Sequence, residues 1–223
     1  MKKVVLAALI VLMGVSSVFA QTQKEISKER KIISKMTKSE LNAKASKDAM
    51  KEAKRLKKEG WTVAPGHLPL EKQLDRSYLM QMEYDEQLFP KYIVGDAMSI
   101  GENYDAAKHQ ALQLAILNLA ANIQQEVTAL VQNEVDNKQL QAEEAASVVE
   151  TISASKNLIS QSIGRTIPVV ECYRDKANKN KEVRVIVFYN SKMAKESVKK
   201  AIRSDLEKKS GALVKSIDKI LGL

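Results

Sequence analysis

Glu182 to Tyr189 read EVRVIVFY, an unbroken alternation in a chain of 223 residues. Val183, Val185, Val187 and Tyr189 fall on one face, and Arg184, Ile186 and Phe188 on the other. A period of two is the mark of a strand with distinct faces. Just upstream, Arg165 to Arg174 holds a second apolar run, and Asp175 to Lys181 between the two is a polar Asn/Lys loop. Two such runs joined by a short polar loop predict a β-hairpin. Pro168 has no N–H for a ladder, so it places the first strand, or at least that residue, at a sheet edge.

Outward toward the N-terminus, Tyr92-Ile93-Val94-Gly95 predicts a short strand. Asn103 to Val135 is the longest helical signal in the chain. Leu112, Ile116, Leu119, Ile123, Val127 and Leu130 recur at helical spacing, with Ala106, Ala107, Ala111, Ala115, Ala120 and Ala121 beside them. Such a helix of about 33 residues would be about 50 Å long, so part of it must protrude or pair. Asp136, Asn137 and Gln139 predict a cap before a second helix carrying Ala145, Val149, Ile152, Ile159 and Ile163 on one face, ended by Gly164. So short a link predicts an antiparallel helical hairpin. The order strand, helices, hairpin predicts an α+β fold: a long helix or helical hairpin packed on a three-stranded antiparallel sheet. That core domain spans 91–190.

Around it the sequence predicts further segments. Residues 21–60 form a basic helical arm, with capping boxes at Thr22-Gln23-Lys24-Glu25 and Thr37-Lys38-Ser39-Glu40. Leu41, Ala45, Ala49, Ala53 and Leu56 form a thin apolar stripe along 37–59, which promises little burial. Gly60 sits where a left-handed C-cap belongs, and Trp61 falls where it touches Leu56 in a Schellman motif. Residues 61–90 are a turn-rich connector with a short helix opened by Pro69 or Leu70 and closed before Pro90. Residues 191–223 form a basic C-terminal helix capped by Asn190 or Ser191 and interrupted at Ser210-Gly211.

Tyr92-Ile93-Val94-Gly95, the alanine-spaced helix with Ala107, Ala111, Ala115 and Leu119-Ala120-Ala121-Asn122-Ile123, and the valine-rich hairpin of 165–190 together resemble the LPP20-type bacterial envelope proteins. The resemblance covers roughly 91–190. It implies a helix packed across a small antiparallel sheet and a non-catalytic role in the envelope. It supplies no catalytic residue to carry over.

The first twenty residues carry a matching expectation. Lys2 and Lys3 precede an apolar run from Val4 to Val15, and Val18-Phe19-Ala20 supplies a cleavage site, the layout of a secretory signal peptide. The expected product is exported, to the periplasm or the outer membrane, with the signal removed near Ala20. No Cys follows that cut, so it carries no lipid anchor. Cys172, the only cysteine, reads as a small buried residue on a strand.

Charge is uneven. Residues 24–58 hold 13 Lys and Arg against 5 Asp and Glu, residues 61–190 hold 12 against 17, and residues 191–223 hold 9 against 4. Basic ends around an acidic middle suit self-attraction, or contact with an anionic surface. For that surface the candidate contacts are Lys51, Lys54, Arg55, Lys57, Lys58, Lys208, Lys209, Lys215 and Lys219, aided by an amphipathic tail at 211–223. No aromatic residue interleaves the basic run, so nucleic acid is not an expected partner. His67 and His109 are the only histidines, too few with one Cys for a zinc site. Gly95 and Gly101 frame a loop-like segment with no Lys-Ser/Thr after it, so it is no phosphate loop. A Cys172–His109 nucleophile pair is conceivable only by accident of fold. The expectation is therefore a non-enzymatic module with no cofactor, no metal and no identifiable small-molecule substrate. Its partner is an envelope protein, a second copy of itself or, alternatively, a lipid or lipopolysaccharide surface.

Overall fold

The computed structural model describes residues 27–221 except 29, 33, 36, 37, 40, 41, 87 and 137–139, and the side chains of 212, 216 and 219 are likewise outside the description. The signal peptide, the first capping box, Thr37 and Glu40 of the second, and the Asn137/Gln139 cap fall on residues outside it. The chain divides into two compact units, residues 1–44 and 45–223. In the first, the described residues between 27 and 42 are helical.

The second unit is built on one antiparallel sheet. Its strands are β1 (Tyr92–Gly101), β2 (Ile167–Asp175) and β3 (Lys181–Asn190), in the order β1-β3-β2. The hairpin and the α+β class read from the sequence are those of the structure. β2 is an edge strand, and its register slips between Pro168 and Val170, where the proline cannot donate to the ladder.

β1 is longer than expected. It pairs with β3 over ten residues, from Tyr92–Asn190 to Gly101–Lys181. Gly95, Asp96, Ala97 and Ser99 are poor strand formers, so local sequence hides a strand that tertiary pairing creates. The apparent Gly-framed loop is the middle of this strand.

The 33-residue helix α3 (Tyr104–Asp136) lies on one face of the sheet; α1 (Lys47–Lys58) and α2 (Leu70–Gln81) precede it. Its buried row is Ala107, Ala111, Ala115, Leu119, Ile123, Val127 and Val131, joined by Ala120. Leu112, Ile116 and Leu130, read as the main stripe, are only half-buried. The reason is distance. A Cβ on Gly95 would lie 2.2 Å from the Ala115 carbonyl oxygen and 2.7 Å from Leu119 Cβ, and one on Gly101 would lie 2.6 Å from the Ala107 nitrogen. Helix and strand backbones nearly touch at both glycines, so the row that faces them is mostly alanine, with Leu119 beside Gly95.

Helices α4 (Ala142–Ala154) and α5 (Lys156–Ser162) fold back along α3. The Leu140 N–H donates to the Glu134 carbonyl, and Gln124 Nε2 donates to the Ser153 carbonyl at 2.9 Å. Contacts that recede along one helix as they advance along the other are those of an antiparallel pair, as expected. The second helix is broken at Ser155, whose hydroxyl bonds back to the Thr151 carbonyl. Helix α6 (Ser191–Lys209) starts at Asn190, whose side chain accepts from the Lys192 and Met193 N–H groups. Helix α7 (Gly211–Leu221) buries Leu213, Ile217 and Leu221 in the same core as α3.

The opposite face of the sheet is covered too, and this shifts the segment division expected from the sequence. Helix α1 (Lys47–Lys58) starts ten residues later than position 37, behind Ser46, whose Oγ accepts the Ala49 N–H. Helix α2 (Leu70–Gln81) follows. Ala45, Ala49, Ala53, Leu56, Trp61, Leu70 and Leu74 are buried with Val170, Cys172, Ile186 and Phe188. Residues 45–81 therefore belong to the packed unit, and the thin alanine stripe is a full interface because alanine lets α1 approach closely. The C-cap is as read. Gly60 has φ +88°, the Gly60 N–H bonds the Lys57 carbonyl, and the Trp61 N–H bonds the Leu56 carbonyl at 3.0 Å. The Arg174 guanidinium lies 4.7 Å from the Trp61 ring centroid, a contact between α1's cap and β2.

Candidate interaction surfaces

Three groups of residues have the makings of a site. The first lies between α2 and β1. The Asp85 N–H donates to the Phe89 carbonyl at 2.8 Å, and the Phe89 N–H donates to Asp85 Oδ1 at 2.9 Å. The Leu88 N–H donates to the Asp85 carbonyl, and the Lys91 N–H to the Glu83 carbonyl at 2.9 Å. Lys91 and Glu83 add an ion pair at 2.8 Å. Ser191, at the start of α6, ties this turn to the sheet: its hydroxyl donates to the Pro90 carbonyl and its N–H to the Lys91 carbonyl.

This well-tied turn displays apolar side chains. Leu88 is 80% exposed and Met82 75%, and Leu79, Tyr84 and Phe89 are each more than half exposed. Met193 is exposed two residues after Ser191. All sit at the end of the sheet where β1 begins and β3 ends. At the other end, the turn after β2 is Lys176-Ala177-Asn178-Lys179-Asn180, and it is polar. Leu88 has φ +63°, a left-handed conformation uncommon for leucine. Large apolar groups exposed together on a hydrogen-bonded turn are candidates for a contact surface; Met98 and Ile100, toward the other end of β1, are exposed as well. Met82 continues the helical spacing of Leu70, Leu74 and Tyr78 in the sequence, but the helix ends at Gln81 and leaves it exposed; the others follow no helical or strand period. The available signal was six large apolar residues within eleven positions, 79–89, at the end of a segment read as a turn-rich connector with a short helix.

The second group is the basic residues, and the structure separates them. On α1, Arg55 pairs with Glu52 and Glu59, and Lys57 pairs with Glu71 at 2.9 Å. Arg55 is held further toward its charged form by those hydrogen bonds. Lys51, Lys54 and Lys58 are exposed without an ion pair among the described residues, as is Lys47. Lys47, Lys51, Lys54 and Lys58 recur at intervals of four and three, directly opposite the buried alanine stripe. At the C-terminal end, Lys208 pairs with Asp205, and Lys209 reaches α4 at Glu150 (3.2 Å) and Thr151 Oγ1 (3.0 Å). Lys215 is exposed, and the Lys219 side chain lies outside the described residues. The tail expected to insert its apolar stripe into an interface has Leu213, Ile217 and Leu221 buried in the core, so that stripe is not free.

The third group surrounds Glu171 on β2. Its buried carboxylate accepts from the Tyr104 hydroxyl and from Lys108 Nζ at 2.8 Å, and His67 Nδ1 lies 3.8 Å away. The Glu171 N–H donates to Gln73 Oε1 at 2.7 Å, while Gln73 Nε2 donates to the Leu68 carbonyl. Burial, then the hydrogen bond to Glu171, pushes the Tyr104 hydroxyl well above the usual tyrosine range. Tyr104 is thereby fixed as a donor. The arrangement ties the first turns of α3 and the end of the connector to β2, with both proton donors engaged on one acceptor.

The remaining candidates are not brought together. Cys172 faces α1 and α2, on the side of the sheet away from α3, and His109 is exposed on α3. Burial pushes the Cys172 thiol up to about 12, which suppresses the reactive thiolate. Among the described residues no group of three or more His, Cys, Asp or Glu is placed to hold a metal. One described helix, Tyr104–Asp136, is long and apolar enough to cross a membrane, but here one row of it forms the core.

No protein-family model matches the chain, and no curated protein does.

Proposed function

We propose that this chain is a non-catalytic, exported protein of the bacterial cell envelope that works as a structural or interaction module. The resemblance of 91–190 to the LPP20-type proteins and the signal-peptide layout of residues 1–20 suggest the compartment. One observation carries the mode of action: the hydrogen-bonded turn at residues 83–91 holds Tyr84, Leu88 and Phe89 in water beside Leu79, Met82 and Met193. A preorganised apolar surface costs little conformational entropy to engage. The titratable cluster at Glu171 supports the same reading, since its groups satisfy one another.

In-cell crosslinking tests this. Wild type should give discrete crosslinked species that Leu88→Asn diminishes. Asn suits the left-handed position, so the turn itself should survive. Crosslinks unchanged by the substitution would remove the turn from the account.

A second reading, contact with an anionic lipid or lipopolysaccharide surface, is favoured by the Lys47/Lys51/Lys54/Lys58 stripe. Each such lysine near an anionic surface adds about 1 kcal/mol. Flotation with vesicles rich in anionic lipid should be lost on reversing Lys51 and Lys54 to Glu and on raising salt. Binding indifferent to both would discard the stripe.

A further inference from the structure

We propose that the apolar end of the sheet is self-complementary, and that a second copy of this chain docks there face to face about a two-fold axis. This rests on the interaction reading above and names its partner. The centre of the surface is Leu79, Met82, Tyr84, Leu88, Phe89 and Met193, all exposed. Of the charges in that turn, Glu83 and Lys91 pair with each other and Asp85 Oδ1 accepts the Phe89 N–H. Glu86, in the turn, and Lys192, next to the Ser191 that anchors the turn, are both exposed and form no ion pair among the described residues. In a two-fold contact, residue i meets residue j and j meets i. Two copies therefore satisfy the two charges left without an ion pair, Glu86 of each copy against Lys192 of the other, around an apolar centre.

The same charges argue against a lipid occupant. Apolar groups that enter an anionic interface are typically rimmed by Lys and Arg. Here Asp85 and Glu86 stand between Tyr84 and Leu88, and Lys91 is neutralised by Glu83. A copy of the chain supplies both the apolar area and the opposite charge.

The test is analytical ultracentrifugation of the signal-free chain, with circular dichroism to confirm folding. Wild type should sediment as a dimer at about 100 μM and dissociate on dilution. Leu88→Asn should weaken dimerisation at least about tenfold. Glu86→Lys alone and Lys192→Glu alone should each weaken it, and the Glu86→Lys/Lys192→Glu pair should restore it. A monomer at every concentration overturns the proposal, and so does a double variant no better than the singles. Flotation of a monomeric wild type with anionic vesicles, lost in Leu88→Asn, overturns it in favour of a lipid contact. If the chain is monomeric but its in-cell crosslinks are lost in Leu88→Asn, this inference falls while the interaction reading stands. If neither assay responds to Leu88→Asn, both fall.

Discussion

Replacing Gly95 by alanine tests the closest approach in the fold. The added methyl would meet the Ala115 carbonyl oxygen at 2.2 Å and Leu119 Cβ at 2.7 Å, whereas ordinary contact begins at 3.4 Å. The carbonyl belongs to helix backbone and cannot rotate away, so α3 must lift from β1 by about 1 Å at that point. A gap of that size forfeits a quarter to a half of the dispersion energy of each contact it opens. The row Ala107, Ala111, Ala115 and Leu119 is fully buried along this seam, so the loss is shared by several residues. Overpacking usually costs about 1–3 kcal/mol, and a clash with backbone belongs at the upper end, about 3 kcal/mol. For a domain of this size that is roughly 6–12 °C in Tm. Urea and thermal unfolding followed by circular dichroism read it directly. Gly211→Ala is the control, because a Cβ there meets nothing within 4 Å and stability should hold or rise slightly. Adding Leu119→Ala should not rescue Gly95→Ala, since the nearest obstacle is the Ala115 carbonyl. A Gly95→Ala protein within about 0.5 kcal/mol of wild type would refute the close-packed seam.

Three further outcomes follow from hydrogen bonds and burial. The Ser191 N–H bond to the Lys91 carbonyl sets the ladder phase, so the backbone groups of Val94 and Asp96 point away from β3, and their carbonyls accept from Asn122 and Asn118 Nδ2, both at 2.8 Å. Asn118→Ala with Asn122→Ala should open this edge to strand pairing between molecules, seen as larger species and an intermolecular β band in infrared spectra; a size distribution identical to wild type would count against an edge-blocking role. Gln73→Ala leaves the buried Glu171 N–H without its acceptor and should cost about 1–3 kcal/mol in urea unfolding, and a loss under about 0.5 kcal/mol would show that water replaces the amide. Burial raises the Cys172 thiol to about 12, above its unfolded value, so the stability it contributes is whole below about pH 9 and drains away as pH climbs toward 12. The wild-type urea midpoint should therefore fall more steeply than that of Cys172→Ala over that window, and native Cys172 should resist alkylation at pH 8; parallel slopes or prompt labelling would contradict the buried placement.

The elements legible in the sequence were those with a strong period or a cap. The β3 alternation, the 33-residue helix, the Asn190 cap and the Gly60 stop are all local signals, and the structure has each of them. β1 beyond Gly95 was not legible, because Asp96 to Gly101 becomes strand only through its ladder with β3. The sheet-facing row of α3 was misjudged for a related reason. Leucine and isoleucine look like the core of a helix, but a glycine partner on β1 gives the seam to alanine and leaves Leu112 and Ile116 half-buried. The same rule governs α1: its stripe looked too thin to pack, and its small side chains are what bring it against the sheet.

Surfaces follow a different logic from elements, and charge shows why. A count of lysines cannot say which are free, since neutralisation depends on neighbours that folding supplies. Arg55 and Lys57 stand on the flanks of α1, within reach of Glu52, Glu59 and Glu71, and are paired. Lys47, Lys51, Lys54 and Lys58 stand opposite the buried stripe and form no ion pair among the described residues. Once the core stripe is known, the free charges follow at half a helical turn from it. The apolar turn obeys no such rule. Leu79, Tyr84, Leu88 and Phe89 break the pattern of the segment that carries them, yet the chain ties that turn with three backbone bonds, the Asp85 carboxylate on the Phe89 N–H, an ion pair and the Ser191 bridges. Tied this way, and with a left-handed leucine, the turn would lose little conformational entropy on meeting the partner proposed above.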